Sequence, residues 1–172
     1  MTAAESPSAA DTMTLHHAAL YVSDLDKTRD FYTGILGMEE IDRPADFTFP
    51  GAYFKRGGAE VHVVVETEPN RAAQLRPAWS DQELRTGYVV HFALEVATLD
   101  DYRQALAARG LQPVGGPRIR ADHVEQIYLA DPDGYVVELM CFHDEATGVR
   151  RRAELAAAGA GVPVAPGHDT VE

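Results

Sequence analysis

Two apolar spacings alternate along the chain. Every-second-position runs in "HHAALYV" (residues 16–22), "FTFPGAYFKRGG" (47–58) and "AEVHVVVE" (59–66) predict strands, the last two split by a turn at Gly57 and Gly58. Between the first and second, "DLDKTRDFYTGILG" (24–37) carries the spacing of an amphipathic helix. Ser23 or Asp24 would cap its start, Phe31 and Ile35 lie on its apolar face, and Gly37 stops it. The order then recurs. "YVVHFALEV" (88–96) predicts a strand, "TLDDYRQALAARG" (98–110) a helix closed by Gly110, and "LQPVGG" (111–116) an extended piece. "VEQIYLAD" (124–131) and "YVVELMCF" (135–142) predict strands joined by the turn "DPDG".

The recurrence reaches the residues themselves. "HAALYVSDLD" (17–26) and "HFALEVATLD" (91–100) share His, Ala, Leu, Val, Leu and Asp at a constant offset, so the chain reads as a duplicated βαβββ-like unit. The fold class expected is α+β, one domain over 14–146, with module one at 14–66 and module two at 88–146. Residues 67–87 join them, carry the only Trp, and are long enough to act as a lid. Residues 1–13 read as a disordered leader. Residues 147–172, rich in Ala, Gly and Pro, read as a tail in which 150–158 could form a short helix.

Strand parity turns this pattern into a candidate site. His17, Ala19 and Tyr21 share one face of the first strand, and Ala18, Leu20 and Val22 form a wholly apolar opposite face suited to packing on helices. His17 then points to the concave side, while His16 falls on the packing parity and is expected to take no part in metal binding. The duplication superposes His91 on His17. The last strand of each copy adds one polar residue inside an apolar run, His62 and Glu138. A carboxylate in that setting needs a cationic partner, and a divalent metal held by His17, His91 and Glu138, with His62 as fourth ligand or neighbouring base, would supply one. Such an N/O donor set suits Fe(II), Mn, Ni, Co or Zn.

Composition narrows the remaining classes. The 172 residues are 45% hydrophobic, enough for one compact domain, and the net charge of −12 argues against a nucleic-acid partner. No apolar run approaches the ~18–20 residues that span a bilayer, and residues 1–13 lack the basic and apolar stretches of a secretory signal. A cytoplasmic protein with no membrane partner is expected. The lone Cys141 sits in an apolar run and reads as a buried structural thiol. Glu60 and Glu66 read as a solvated edge, Glu95 as a rim residue, His123 as a surface residue, and His143 and His168 are given no role. Arg56, Arg71, Arg76, Arg85, Arg118 and Arg120 read mostly as solvated charge.

The stretches "HHAALYVSDLDKTRDFYTGILGM", "HFALEV" and "YLADPDGYVVEL" resemble the vicinal-oxygen-chelate superfamily, which groups glyoxalases, bleomycin-resistance proteins and extradiol dioxygenases. The resemblance implies paired βαβββ modules forming a curved mixed sheet around a metal cleft, and carries the family's metal residues over to His17, His91 and Glu138. It also implies a small-molecule substrate and a homodimer, with the site inside one chain or between two. Glyoxalase I has a glutamate at the fourth position, where this chain has His62. Extradiol dioxygenases hold Fe(II) with two histidines and a glutamate, use a nearby histidine as acid/base, and place a tyrosine ten residues before the glutamate, here Tyr128. The leading expectation is therefore an Fe(II) extradiol-type dioxygenase with His62 and Tyr128 as catalytic residues. The first alternative is a metal-dependent lyase, isomerase or epimerase of the glyoxalase type, and the second a drug-binding resistance protein.

Overall fold

The computed structural model describes residues 14–76 and 78–160. The leader 1–13, and the part of the tail from 161 onward that includes His168, lie outside the described residues. Among the described residues, eight strands form two four-stranded mixed sheets. In the first, β1 (His17–Val22) runs parallel to β4 (Ala59–Val65), followed by β3 (Gly51–Arg56) and β2 (Glu39–Ile41). In the second, β5 (His91–Glu95) runs parallel to β8 (Val136–Phe142), followed by β7 (Val124–Ala130) and β6 (Gly115–Ile119). The two sheets repeat one order, as the duplication requires.

Helices cover one face of each sheet. Asp24 caps α1 (Leu25–Arg29) by accepting from the backbone N–H of Asp26 and Lys27, both at 3.1 Å. The helix then widens into a π-turn over Asp30–Ile35, where the Thr33 hydroxyl donates to the Arg29 carbonyl at 2.7 Å, and Gly37 follows at φ +65°. Its counterpart in module two is α4 (Asp100–Ala108). Phe31, Ile35 and Leu36 pack in one continuous core with Phe54, Val61 and Val63 of the first sheet and with Leu106, Ile127, Leu129 and Leu139 of module two. Each of these large apolar side chains contributes about 1.5–3 kcal/mol by leaving water, and because both modules supply them, the core belongs to neither alone.

Polar contacts fix the modules to each other. Both oxygens of Asp133 accept from the Ser23 N–H at 3.1 Å, and the Tyr32 hydroxyl donates to Asp131 at 3.2 Å. Arg56, itself exposed, donates to the Leu36 carbonyl at 2.7 Å and to the Tyr102 hydroxyl at 2.9 Å, so it joins the end of the π-turn to α4.

The connection is also more ordered than its composition suggests. It folds into α2 (Arg71–Leu75), whose start is held by Glu66, and α3 (Asp81–Thr86), which opens with a reciprocal Ser80/Glu83 capping box. The last described helix, α5 (Glu145–Ala157), starts five residues earlier than the spacing predicts. Asp144 caps it, and Arg151 ties it to Glu125 of β7 at 3.0 Å. No helix among the described residues is long and apolar enough to cross a membrane.

Candidate metal centre

The parity argument places both strand histidines on the open faces of their sheets: exposure alternates along β1 and β5 with His17, Ala19 and Tyr21, and His91, Ala93 and Glu95, on the outward side. The four proposed ligands fall into two pairs. On the first sheet the His17 and His62 rings stack at 4.0 Å between centroids, and Tyr53 stacks on the other side of His62 at 3.5 Å. The register that sets Ala19 and Tyr53 opposite His62 makes this stack. On the second sheet His91 Nε2 lies 2.7 Å from Glu138 Oε2. The four do not converge on one point within the chain. His17 lines a cavity of about 500 Å³ where the start of β1 faces the end of β5, whereas His91 lines another of about 360 Å³, partly walled by Trp79 and Leu75 of the connection.

Glu138 is 4% exposed, and its oxygens are divided. Oε2 faces His91, and Oε1 accepts from Gln126 Nε2 on the neighbouring strand. His91 itself has an acceptor at each ring nitrogen, since Nδ1 lies 2.7 Å from the Val89 carbonyl. A neutral imidazole with its proton on Nδ1 leaves Nε2 as a lone pair aimed at a carboxylate oxygen. That is a repulsive arrangement unless a proton or a metal ion lies between them. A backbone carbonyl holding the far nitrogen of a ligating histidine is the usual support of a metal site. The donor set on this sheet therefore fits a divalent ion.

His62 is held differently. Its Nε2 lies 3.1 Å from Glu60, and Glu60 accepts from Lys55 at 2.6 Å. Lys55 first, then His62, hold the Glu60 carboxyl down at about 2, which corrects the reading of Glu60 as a solvated edge. Burial lowers the pKa of His62, against the raising effect of Glu60. A largely neutral imidazole oriented by a carboxylate is the form in which histidine takes up a proton. His16 is exposed, but its Nδ1 lies 3.1 Å from that of His17, so it borders the stack.

Tyr128 is 1% exposed, and its hydroxyl accepts from Arg118 at 2.8 Å; its ring meets His91 edge-on with centroids 5.5 Å apart. Burial raises its pKa. Arg118 also donates to Gln126 Oε1 at 2.8 Å and to the Thr86 carbonyl at 2.6 Å, so it is not solvated surface charge. Sequence reasoning named Glu60 and Arg118 only as solvated charge and did not single out Gln126. The one available signal was Gln126, a polar residue in the apolar run of β7.

Among the described residues, one other group gathers three metal-capable side chains, Glu125, Cys141 and His143. Arg103, Arg151 and His143 all bond to the Glu125 carboxylate. Burial, and then Glu125, push the Cys141 thiol up. Two guanidiniums beside a protonated thiol repel a cation, so the cluster is an ion-pair network anchoring α5, and Cys141 is buried as expected.

The glyoxalase/bleomycin resistance protein/dioxygenase superfamily model matches residues 14–139. A lactoylglutathione lyase of Escherichia coli O157:H7 is 28% identical over 141 residues, 80% of this chain and 98% of that protein. Glyoxylase I 4 of Arabidopsis thaliana is 25% identical over 131 residues, 73% of this chain and 68% of that one. In fold, a glyoxalase/dioxygenase structure from Nostoc punctiforme superposes with a TM-score of 0.62 at 24% identity, covering 83% of this chain and all of the other.

Proposed function

The chain belongs to the glyoxalase/bleomycin resistance protein/dioxygenase superfamily, and from that premise we propose that it is a metal-dependent lyase or isomerase of the glyoxalase type, moving a proton on a small substrate with adjacent oxygens. This displaces the extradiol reading as the favoured one, since the relatives similar over most of the chain carry lyase and glyoxylase names. The observation that carries it is the Glu60–His62 pair beside His17: a carboxylate-oriented imidazole at the fourth position suits proton transfer.

In this reading His17, His91 and Glu138 would hold a divalent ion. A bound ion would supply Lewis acidity, drawing charge onto a substrate carbonyl oxygen. His62 takes the proton from the carbon beside that carbonyl and returns it to the neighbouring position, while Glu60 keeps its ring in line. Tyr128 packs behind His91. The split into two half-sites supports a homodimer in which the His17/His62 face of one chain closes on the His91/Glu138 face of its partner. The aromatic ladder from Phe47 through Tyr53 to His62 supports a substrate with an apolar or aromatic substituent.

The test pairs metal analysis with two assays: hydrogen–deuterium exchange on a panel of α-oxo thiohemiacetals, and oxygen uptake on a panel of catechols. Metal-dependent exchange without oxygen uptake is expected. His62→Gln should keep the metal and lose at least ~100-fold in exchange rate, whereas Glu138→Ala should lose the metal. Oxygen uptake with ring cleavage would overturn the lyase reading.

A further inference from the structure

We propose that Arg118 is a positioning residue which, acting through Gln126, fixes the Glu138 carboxylate in the orientation that presents Oε2 beside His91. A glutamine amide has an acceptor end and a donor end, and a half-turn exchanges them. A guanidinium only donates. Arg118 Nε at 2.8 Å from Gln126 Oε1 therefore forces the Gln126 NH2 toward Glu138 Oε1, where it is found. The reversed amide would set an oxygen against a carboxylate oxygen in a site where Glu138 is 4% and Gln126 3% exposed. With Oε1 occupied, Oε2 is the oxygen left at 2.7 Å from His91 Nε2.

The backbone places the relay. A register shift in the β6–β7 pairing between Gly115 and Arg118 sets Arg118 directly across from Gln126, and Gln126 lies diagonal to Glu138 across the β7–β8 pair. The Thr86 carbonyl at 2.6 Å and the Tyr128 hydroxyl at 2.8 Å hold the other two guanidinium nitrogens, so Arg118 itself does not swing away. Five donors in a fixed fork suit this three-way role, and a lysine ammonium does not reproduce it.

The inference rests on the metal-dependent reading for its effect on affinity, but not for its geometry, and two measurements separate them. In metal-free protein, the Gln126 side-chain amide should give one resolved, slowly exchanging pair of proton signals by NMR, and Arg118→Met should collapse or broaden it. By chelator competition with Zn(II), Arg118→Met and Gln126→Met should each weaken binding by about 10–100-fold. The double variant should be no weaker than either single one, because both break the same relay. A Gln126 signal indifferent to Arg118→Met, or losses that multiply in the double variant, would overturn the proposal. If Arg118→Met does not fold, Gln126→Met with wild-type Zn(II) affinity would do so as well. No Zn(II) uptake by the wild type, together with the expected change at Gln126, would sink the metal reading and leave the relay standing.

Discussion

Asp131 offers a stability measurement whose sign and size both follow from its surroundings. It is 5% exposed in the turn before β8, accepts the N–H groups of Asp133 and Tyr135 at 3.0 and 2.8 Å, and receives the Tyr32 hydroxyl from module one. Burial raises its carboxyl from 3.8 to about 6, with nearby Asp133 adding to the rise and the hydrogen bonds opposing it. The folded state thus holds this proton more tightly than the unfolded chain. Its contribution is full below pH 3.8 and is lost as the pH rises through about 6. At 1.36 kcal/mol per pH unit the loss amounts to about 3 kcal/mol. Asp131→Asn keeps an acceptor for the two N–H groups and cannot ionise. Urea unfolding of both proteins between pH 4 and 7.5 isolates this group, because carboxyls shifted the other way, Glu60 and Asp144 among them, are common to both. The stability of the variant relative to wild type should rise by about 2.4 kcal/mol across that range, or about 5–10 °C in Tm. A difference that stays flat with pH would refute the reasoning.

Three further outcomes are expected. Gly87→Ala should cost at least ~2 kcal/mol in thermal or urea unfolding, since Gly87 has φ +71° and an added Cβ would lie 2.3 Å from the Tyr128 ring. Arg151→Ala should cost about 1–3 kcal/mol by leaving buried Glu125 short of one charged partner, and limited proteolysis should then cut near α5 before the sheets. Ser80→Ala should cost about 1 kcal/mol by removing the capping box of α3, read as a small drop in the urea midpoint.

The strands, their faces and the paired modules were legible because a half-buried strand writes its geometry as strict alternation. Val22, Val61 and Val63 face inward for the same reason that His17 and His62 face out. β2 was not legible, since Glu39–Ile41 is three residues long with two glutamates, and only its pairing with β3 makes it a strand. β6 was hidden by its glycines and Pro117. The donors around the site were hidden for another reason. Arg118 and Glu60 have the same letters whether solvated or bonded, and what decides between them is cross-strand register, a long-range property. The division of the four proposed ligands into two pairs was likewise beyond any local pattern, because it depends on how far apart two sheets stand.

The turn that carries Asp131 and Asp133 makes the two modules unequal. Its counterpart before the last strand of module one is Gly57–Gly58, which has no carboxylate to offer. Module two reaches across with carboxylates to hold the backbone at Ser23 and the hydroxyl of Tyr32, whereas the reach from beside the module-one turn is made by a cation, Arg56 to the Tyr102 hydroxyl. The two copies have therefore stopped being interchangeable. A chain built from two copies of the first half would carry Gly57–Gly58 at both turns and so would have no carboxylate to place against Ser23 or Tyr32.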